Sequence, residues 1–297
     1  MLRRTLLASA GAMALTGTAF AADLGARPPP PVFLPPPPVF TWTGLYTGLN
    51  AGYEWAASRN VDTTTVPVFA APTFGTELAL SSALATGSVA LNPNGFIGGG
   101  QVGYNYQFYN SWVVGIEADI QGLAGTHASG SFSGSGHPAA VPGETIESTV
   151  QSDKRIDYLG TVRGRLGFTI TPTLLIYGTG GLAYGGVDAA TGIGQENLPF
   201  APGFGSFGSL SNSRVGWTAG GGLEWLFAPN WSAKVEYLYY DIGRVTYGLS
   251  PLAFNSAVFG LAYSSSPFST TRFNGNIVRA GINYHFNFLP PPIVAKY

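Results

Sequence analysis

Cysteine is absent from the 297 residues, which removes disulfide staples, thiolate metal sites and a cysteine nucleophile. Charge is scarce as well. Only 10% of the chain is Asp, Glu, Lys or Arg, too little to cover a water-soluble surface of this size. The net charge of -1 offers no basic footprint for nucleic acid and no polybasic membrane strip. Past the N-terminal segment, no apolar run is long enough for a membrane helix, because Gly, Asn, Thr or a charge interrupts each one. His127, His137 and His285 are too scattered for a metal or haem centre, and no cofactor is expected. Stability must then come from packing and from a closed ladder of backbone hydrogen bonds.

What the chain does contain is 42 Gly, 13% aromatic residues and a recurring period of two. The stretch Trp231 to Asp241, WSAKVEYLYYD, shows that period best. Trp231, Ala233, Val235, Tyr237 and Tyr239 share one face, and Ser232, Lys234, Glu236, Leu238 and Tyr240 the other. Side chains alternate across a strand, so one face is apolar and the other carries an anion and a cation. About eight such segments recur, with aromatics at their ends, which is the pattern of a barrel that crosses a membrane with strands.

The ends divide off from this region. Met1 to Ala21 has Arg3 and Arg4, an apolar stretch to Phe20 and an Ala19-Phe20-Ala21 ending, the three parts of a secretion signal in order. Residues 22–41 hold a proline run, Arg27 to Val39, expected as an extended polyproline spacer below the barrel. The same segment is a candidate contact for a periplasmic partner or the cell wall. Residues 42–288 are expected to form the barrel, and 289–297 a periplasmic tail.

Within the barrel, long Gly/Ser/Thr/Pro stretches at about 57–93, 126–152, 188–213 and 249–273 read as four long loops. They alternate with three short turns, at Tyr109-Asn110-Ser111, Thr171-Pro172-Thr173 and Ala228-Pro229-Asn230. Seven connections make eight strands, with both ends of the chain on the short-turn side. Outer-membrane barrels place short turns in the periplasm and long loops outside. The run Gly98 to Gly103 matches a dinucleotide fingerprint in form, but alternation continues through it to Phe108, with no helix opening to hold a phosphate. Glycines making room inside a narrow barrel account for it.

Parity then sorts the charges. Expected inside are the acids Glu54, Glu117, Asp119, Asp153, Asp157, Glu224 and Glu236, and the bases Arg155, Arg163, Arg165, Arg214, Lys234 and Arg279. This near-balance is what desolvated charges require, and it predicts a salt-bridged lumen that is largely plugged. Phe108, Trp112, Phe168, Trp225, Phe227, Trp231 and Phe286 lie beside the short turns, where an aromatic girdle would meet the inner membrane interface.

The chain resembles the Gram-negative outer-membrane immunogenic proteins, the porin-opacity or surface-antigen family of OmpA-like eight-stranded barrels. The carriers are the proline run before WTGLYTGLNAGY, then GFIGGGQVGYNYQ, RGRLGF, YGTGGLAYG, AGGGLEW, NWSAKVEYLYYD and the closing VRAGINYHF. The resemblance implies an abundant surface antigen that stabilises the envelope and contacts hosts, in a family with no agreed catalytic residues. Its expected partners are outer-membrane lipid and lipopolysaccharide and the barrel-assembly machinery, with the barrel itself a monomer. Family members usually end at the terminal aromatic strand, whereas this chain continues past Phe288. A small diffusion channel is the rival reading. An enzymatic one rests on His127-Ala-Ser129, whose spacing is that of the His and Ser of lipid A deacylases of this barrel class, but no carboxylate is evident in sequence to orient the histidine.

Overall fold

The computed structural model describes residues 41–141, 143–199, 201–256 and 260–286. The expected signal peptide, nearly all of the proline spacer and the C-terminal tail lie outside these residues. The elements in order are β1 (Gly44–Ala56), β2 (Asn60–Ala70), α1 (Gly75–Leu84), β3 (Gly87–Ala90), β4 (Asn94–Phe108), β5 (Trp112–Ala124) and β6 (Ala128–Gly136). There follow β7 (Thr145–Thr171), β8 (Leu174–Leu198), β9 (Ala201–Ala228), β10 (Trp231–Gly248), β11 (Leu252–Ser256) and β12 (Gly260–Phe286).

Twelve strand segments form one antiparallel sheet. Eight of them, in the order β1-β4-β5-β7-β8-β9-β10-β12, make a ring that closes when β12 pairs with β1 from Leu45↔Phe286 to Ala56↔Gly275. Closure leaves no unpaired strand edge facing lipid, where no water could satisfy it. The ring carries an outward apolar belt that includes Leu49, Phe96, Ile116, Leu166, Leu182, Val235 and Ile282. The turn between β4 and β5 is tight enough to hold Tyr109 and Asn110 both at positive φ, 48° and 60°. A three-residue connection, Tyr109 to Ser111, with left-handed residues in it is among the common tight hairpin links.

The four expected long loops are not loops. β7, β8, β9 and β12 run 25 to 28 residues, well past the belt, and β2, β3, β6 and β11 add to the same sheet. Where β1 ends, β2 takes its place against β12 (Thr271↔Val61), and where β5 ends, β6 takes its place against β7 (Ala128↔Lys154). The result is an outer storey above the membrane ring. Its interior holds an apolar core in which Val150, Ile193, Val245, Tyr247, Leu249 and Leu252 are buried together. Many of its Thr and Ser are buried as well, bonded to one another, as Ser152 is to Thr191, or to amide and backbone groups, as Ser81 is to Gln195, so these segments read as polar linkers although they alternate like strands.

Two register shifts accompany the passage from one storey to the next. One falls between Ile156 and Tyr158 on β7, the other between Asp241 and Arg244 on β10. An extra residue in one strand exchanges its faces. On β10 the odd positions Val235 and Tyr237 point outward below the shift, whereas Val245 and Tyr247 point inward above it. Gly243, with φ +94°, supplies a left-handed backbone within this shift that other residues adopt only under strain.

Candidate functional site

The lumen is layered along the barrel axis. At the short-turn end, Trp42 is fully buried with Val113, Leu175, Tyr177 and Leu226. Its indole Nε1 donates to the Pro172 carbonyl at 3.2 Å, and its ring meets His285 edge-on at 5.9 Å. Parity alone did not predict this: Trp42 precedes β1 and folds across the mouth as a floor.

Above the floor sit four carboxylates and four cations. Glu117 receives Arg163 at 2.5 Å and Lys234 at 2.9 Å, and Tyr46 donates its hydroxyl to the same carboxylate at 2.7 Å. Arg163 also reaches Asp119 at 2.9 Å and Glu236 at 2.8 Å. Arg279 bridges Asp119 at 2.9 Å and Glu236 at 2.6 Å. Arg165 holds Glu224 at 2.6 Å and lies over the Tyr177 ring at 3.9 Å. Ser232 and Asn283 complete Glu224, at 2.6 and 2.7 Å. Every ionic side chain in this layer is 0 to 2% exposed. An ion in such a place survives only when several opposite charges and donors replace its water.

Local sequence places these groups. Glu117 stands opposite Arg163 across β5 and β7, Glu224 opposite Lys234 across β9 and β10, and Glu236 opposite Arg279 across β10 and β12. Each strand thus delivers its charge at one height. Glycine provides the width: a Cβ at Gly103 would collide with the hydroxyl of Tyr46, the group that donates to Glu117.

Eight of the thirteen charges expected inside meet here: Glu117, Asp119, Arg163, Arg165, Glu224, Lys234, Glu236 and Arg279; Arg214 is half-buried and takes no part in these ion pairs. Glu54 is also buried but stands apart, accepting from Tyr240 at 2.6 Å. Arg155 and Asp157 are corrections. They lie on the outside, paired with each other at 2.8 Å, and Arg155 reaches Asp188 at 2.7 Å. The shift between Ile156 and Tyr158 exchanges the faces of β7, so the parity that holds for Arg163 fails eight residues earlier. Asp153 is likewise half-exposed. The residue that does turn inward there is Lys154, whose Nζ donates to the carbonyls of Ser58 and Arg272 at 3.0 and 2.5 Å. It lies above the belt, and burial pulls its ammonium down to about 8 while the Glu54 carboxylate acts the other way.

A roof of Ile97, Leu159, Leu238, Tyr240, Phe273 and Ile277 covers the ionic layer and continues into the outer-storey core. Sequence reasoning missed Tyr46, Tyr177 and Lys154. Tyr46 shares the parity of Asn50 and Glu54 and was readable; Tyr177 was hidden by the glycines of GTGGLAYGG.

The seven girdle residues all lie beside the short turns. Trp112 packs on Phe168 at 5.4 Å, Trp225 on Phe227 at 6.0 Å, and Tyr284 against both Trp231 and Phe286. Phe108 meets Tyr109 at 5.6 Å. A second set, Tyr53 on Phe96 at 5.3 Å and Trp217 on Tyr239 at 5.4 Å, stands toward the other end of the belt. His127 is exposed on the outer face, and its Nε2 lies 3.4 Å from Asp153, a carboxylate the sequence did not point to. His137 bonds the Glu144 carbonyl, and His285 lies in the lumen beside Ser232.

Comparison with known proteins agrees with this architecture. Residues 32–286 match the family model described as outer membrane protein beta-barrel domain. The chain is 33% identical to the 31 kDa outer-membrane immunogenic protein of Brucella melitensis, over 96% of this chain and all of that one. It is 28% identical to the 25 kDa outer-membrane immunogenic protein of Brucella abortus, over 84% and 89%. Among solved structures, OprG of Pseudomonas aeruginosa aligns over 83% of this chain and 99% of its own, at 10% identity and a TM-score of 0.37. Ail of Yersinia pestis aligns over 80% and 99%, at 15% identity and a TM-score of 0.26. At those scores the likeness says nothing of function. With the closed ring, the outward apolar belt and the match over residues 32–286 together, the chain belongs to the outer-membrane β-barrel protein family and resides in the outer membrane.

Proposed function

We propose that the protein is a structural and surface-exposed barrel that interacts through its outer storey and whose lumen is closed to diffusion. One observation carries the reading. Four acids and four bases neutralise one another in a single solvent-excluded layer, between the Trp42 floor and the apolar roof. A water-filled pore would leave such side chains hydrated and apart. The network instead ties five strands, β5, β7, β9, β10 and β12, across the lumen, which stiffens the ring. The exposed His127–Asp153 pair lends the esterase reading no support, since Ser129 makes no hydrogen bond to His127 among the described residues.

Planar-bilayer recording of the purified, folded protein tests it. Quiet membranes at neutral pH are expected. Stable single-channel openings would instead favour the diffusion-channel reading and overturn the closed lumen.

A further inference from the structure

The outward face of β12 carries two features in line. Near mid-membrane, Ala51 lies beside Ala280, which lies beside Val235; in the next row Leu49, Ile282 and Ala233 are neighbours. The three alanines leave a groove of about 900 Å³ in the lipid-facing wall. Farther along the same face, past Val278 and Asn276 and above the Trp217–Tyr239 pair, the wall hollows again into a pocket of about 500 Å³. Arg59, Arg244 and Arg272 line it, with Asp62 at its rim.

These three arginines come from three separated parts of the chain, and two of them, Arg244 and Arg272, face each other directly across β10 and β12. Like charges opposed on one face repel, so an isolated pair there is unfavourable. Arg272 forms a two-point ion pair with Asp241, its Nε donating to one carboxylate oxygen at 3.3 Å and its Nη2 to the other. Arg59 and Arg244 make no side-chain hydrogen bond or ion pair among the described residues, and both are exposed. Three guanidinium groups against two carboxylates, Asp241 and Asp62, leave a concave site with a net positive charge. It stands on the long-hairpin side, which faces the cell exterior in this class of barrel.

We propose that this face holds one phosphorylated glycolipid of the outer leaflet. Its phosphate seats among Arg59, Arg244 and Arg272, and an acyl chain follows the wall toward the alanine groove. A guanidinium matches a phosphate with paired, charge-assisted hydrogen bonds, and the apolar groove argues for an anion that carries a hydrocarbon chain. Binding goes beyond the closed-lumen reading and does not depend on it.

The test uses the full-length folded protein in detergent, analysed by native mass spectrometry with three probes: bis-phosphorylated lipid A, the same lipid A with both phosphates removed, and inorganic phosphate. The unmodified protein is expected to retain the phosphorylated lipid about tenfold better than the dephosphorylated one. The R59Q/R244Q protein, whose changed groups have no internal partner to lose, is expected to erase that difference while keeping its heat-modifiable gel shift. Equal retention of both lipids by the unmodified protein would overturn the proposal. So would an unchanged preference in R59Q/R244Q, or inorganic phosphate displacing lipid A at equal concentration.

Discussion

The membrane ring and the outer storey are built from the same strands and turned inside out relative to each other. In the ring, Leu49, Phe96, Leu166 and Ile282 face lipid while Glu117, Arg163 and Glu236 face the axis. In the outer storey, Val150, Ile193 and Tyr247 face the axis while the Arg155–Asp157–Asp188 cluster faces outward. Each half puts its apolar side toward whichever partner cannot hydrogen-bond, lipid in one case and the protein's own interior in the other. On β7 and β10 the register shifts between Ile156 and Tyr158 and between Asp241 and Arg244 mark the change. A bulge is the cheapest covalent means of exchanging the two faces of a continuous strand.

The contrast can be broken most sharply in the ring. Arg163→Ala removes a cation that meets Glu117, Asp119 and Glu236, leaving buried carboxylates short of positive charge. We expect a loss of about 4 kcal/mol. On gels of unheated against heated protein, the temperature at which the compact band disappears should fall clearly. An unchanged transition would mean that these charges do not hold one another.

A smaller and more local effect is expected above. Ile193 is buried opposite Val150, and Ile193→Ala should cost the outer storey about 3 kcal/mol through the cavity it leaves. Proteinase K applied to intact cells should then cut within 188–213 while the membrane ring survives as a protected fragment. Cleavage of the unmodified protein at the same rate would show that the outer strands are as mobile as loops.

The smallest effect sharpens the comparison from the other side. Arg155 lies on the same strand as Arg163 and was expected in the same network, yet it is half-exposed and paired only with Asp157 and Asp188. Surface pairs contribute little. Arg155→Ala should leave the gel transition where it is; a drop comparable to that of Arg163→Ala would return Arg155 to the lumen.

Within the ring, much was readable from sequence, because lipid outside and charge inside give alternation its greatest contrast. Strand positions such as Glu117, Arg165 and Arg279 followed from parity, and the short turns gave the strand count and the place of the girdle. Above the membrane the contrast fades. Gly, Ser and Thr are acceptable on a wet face, and Val and Ala suffice for the dry one, so 145–152 and 188–198 look like linker although each residue alternates. A bulge adds one residue without a distinctive letter, which is why Arg155 and Asp157 were placed on the wrong side. The cationic pocket was hidden for another reason: Arg59, Arg244 and Arg272 converge only through β12, and a net charge near neutral conceals them.

The pairing of β2 and β11 with β12, and of β6 with β7, decides what a neighbouring cell or an antibody would meet. Where β2 lies against β12, the exterior is assembled from side chains far apart along the chain. A peptide copied from any one segment therefore reproduces a row of the surface and not the surface, and recognition of the native envelope becomes a matter of shape held in register.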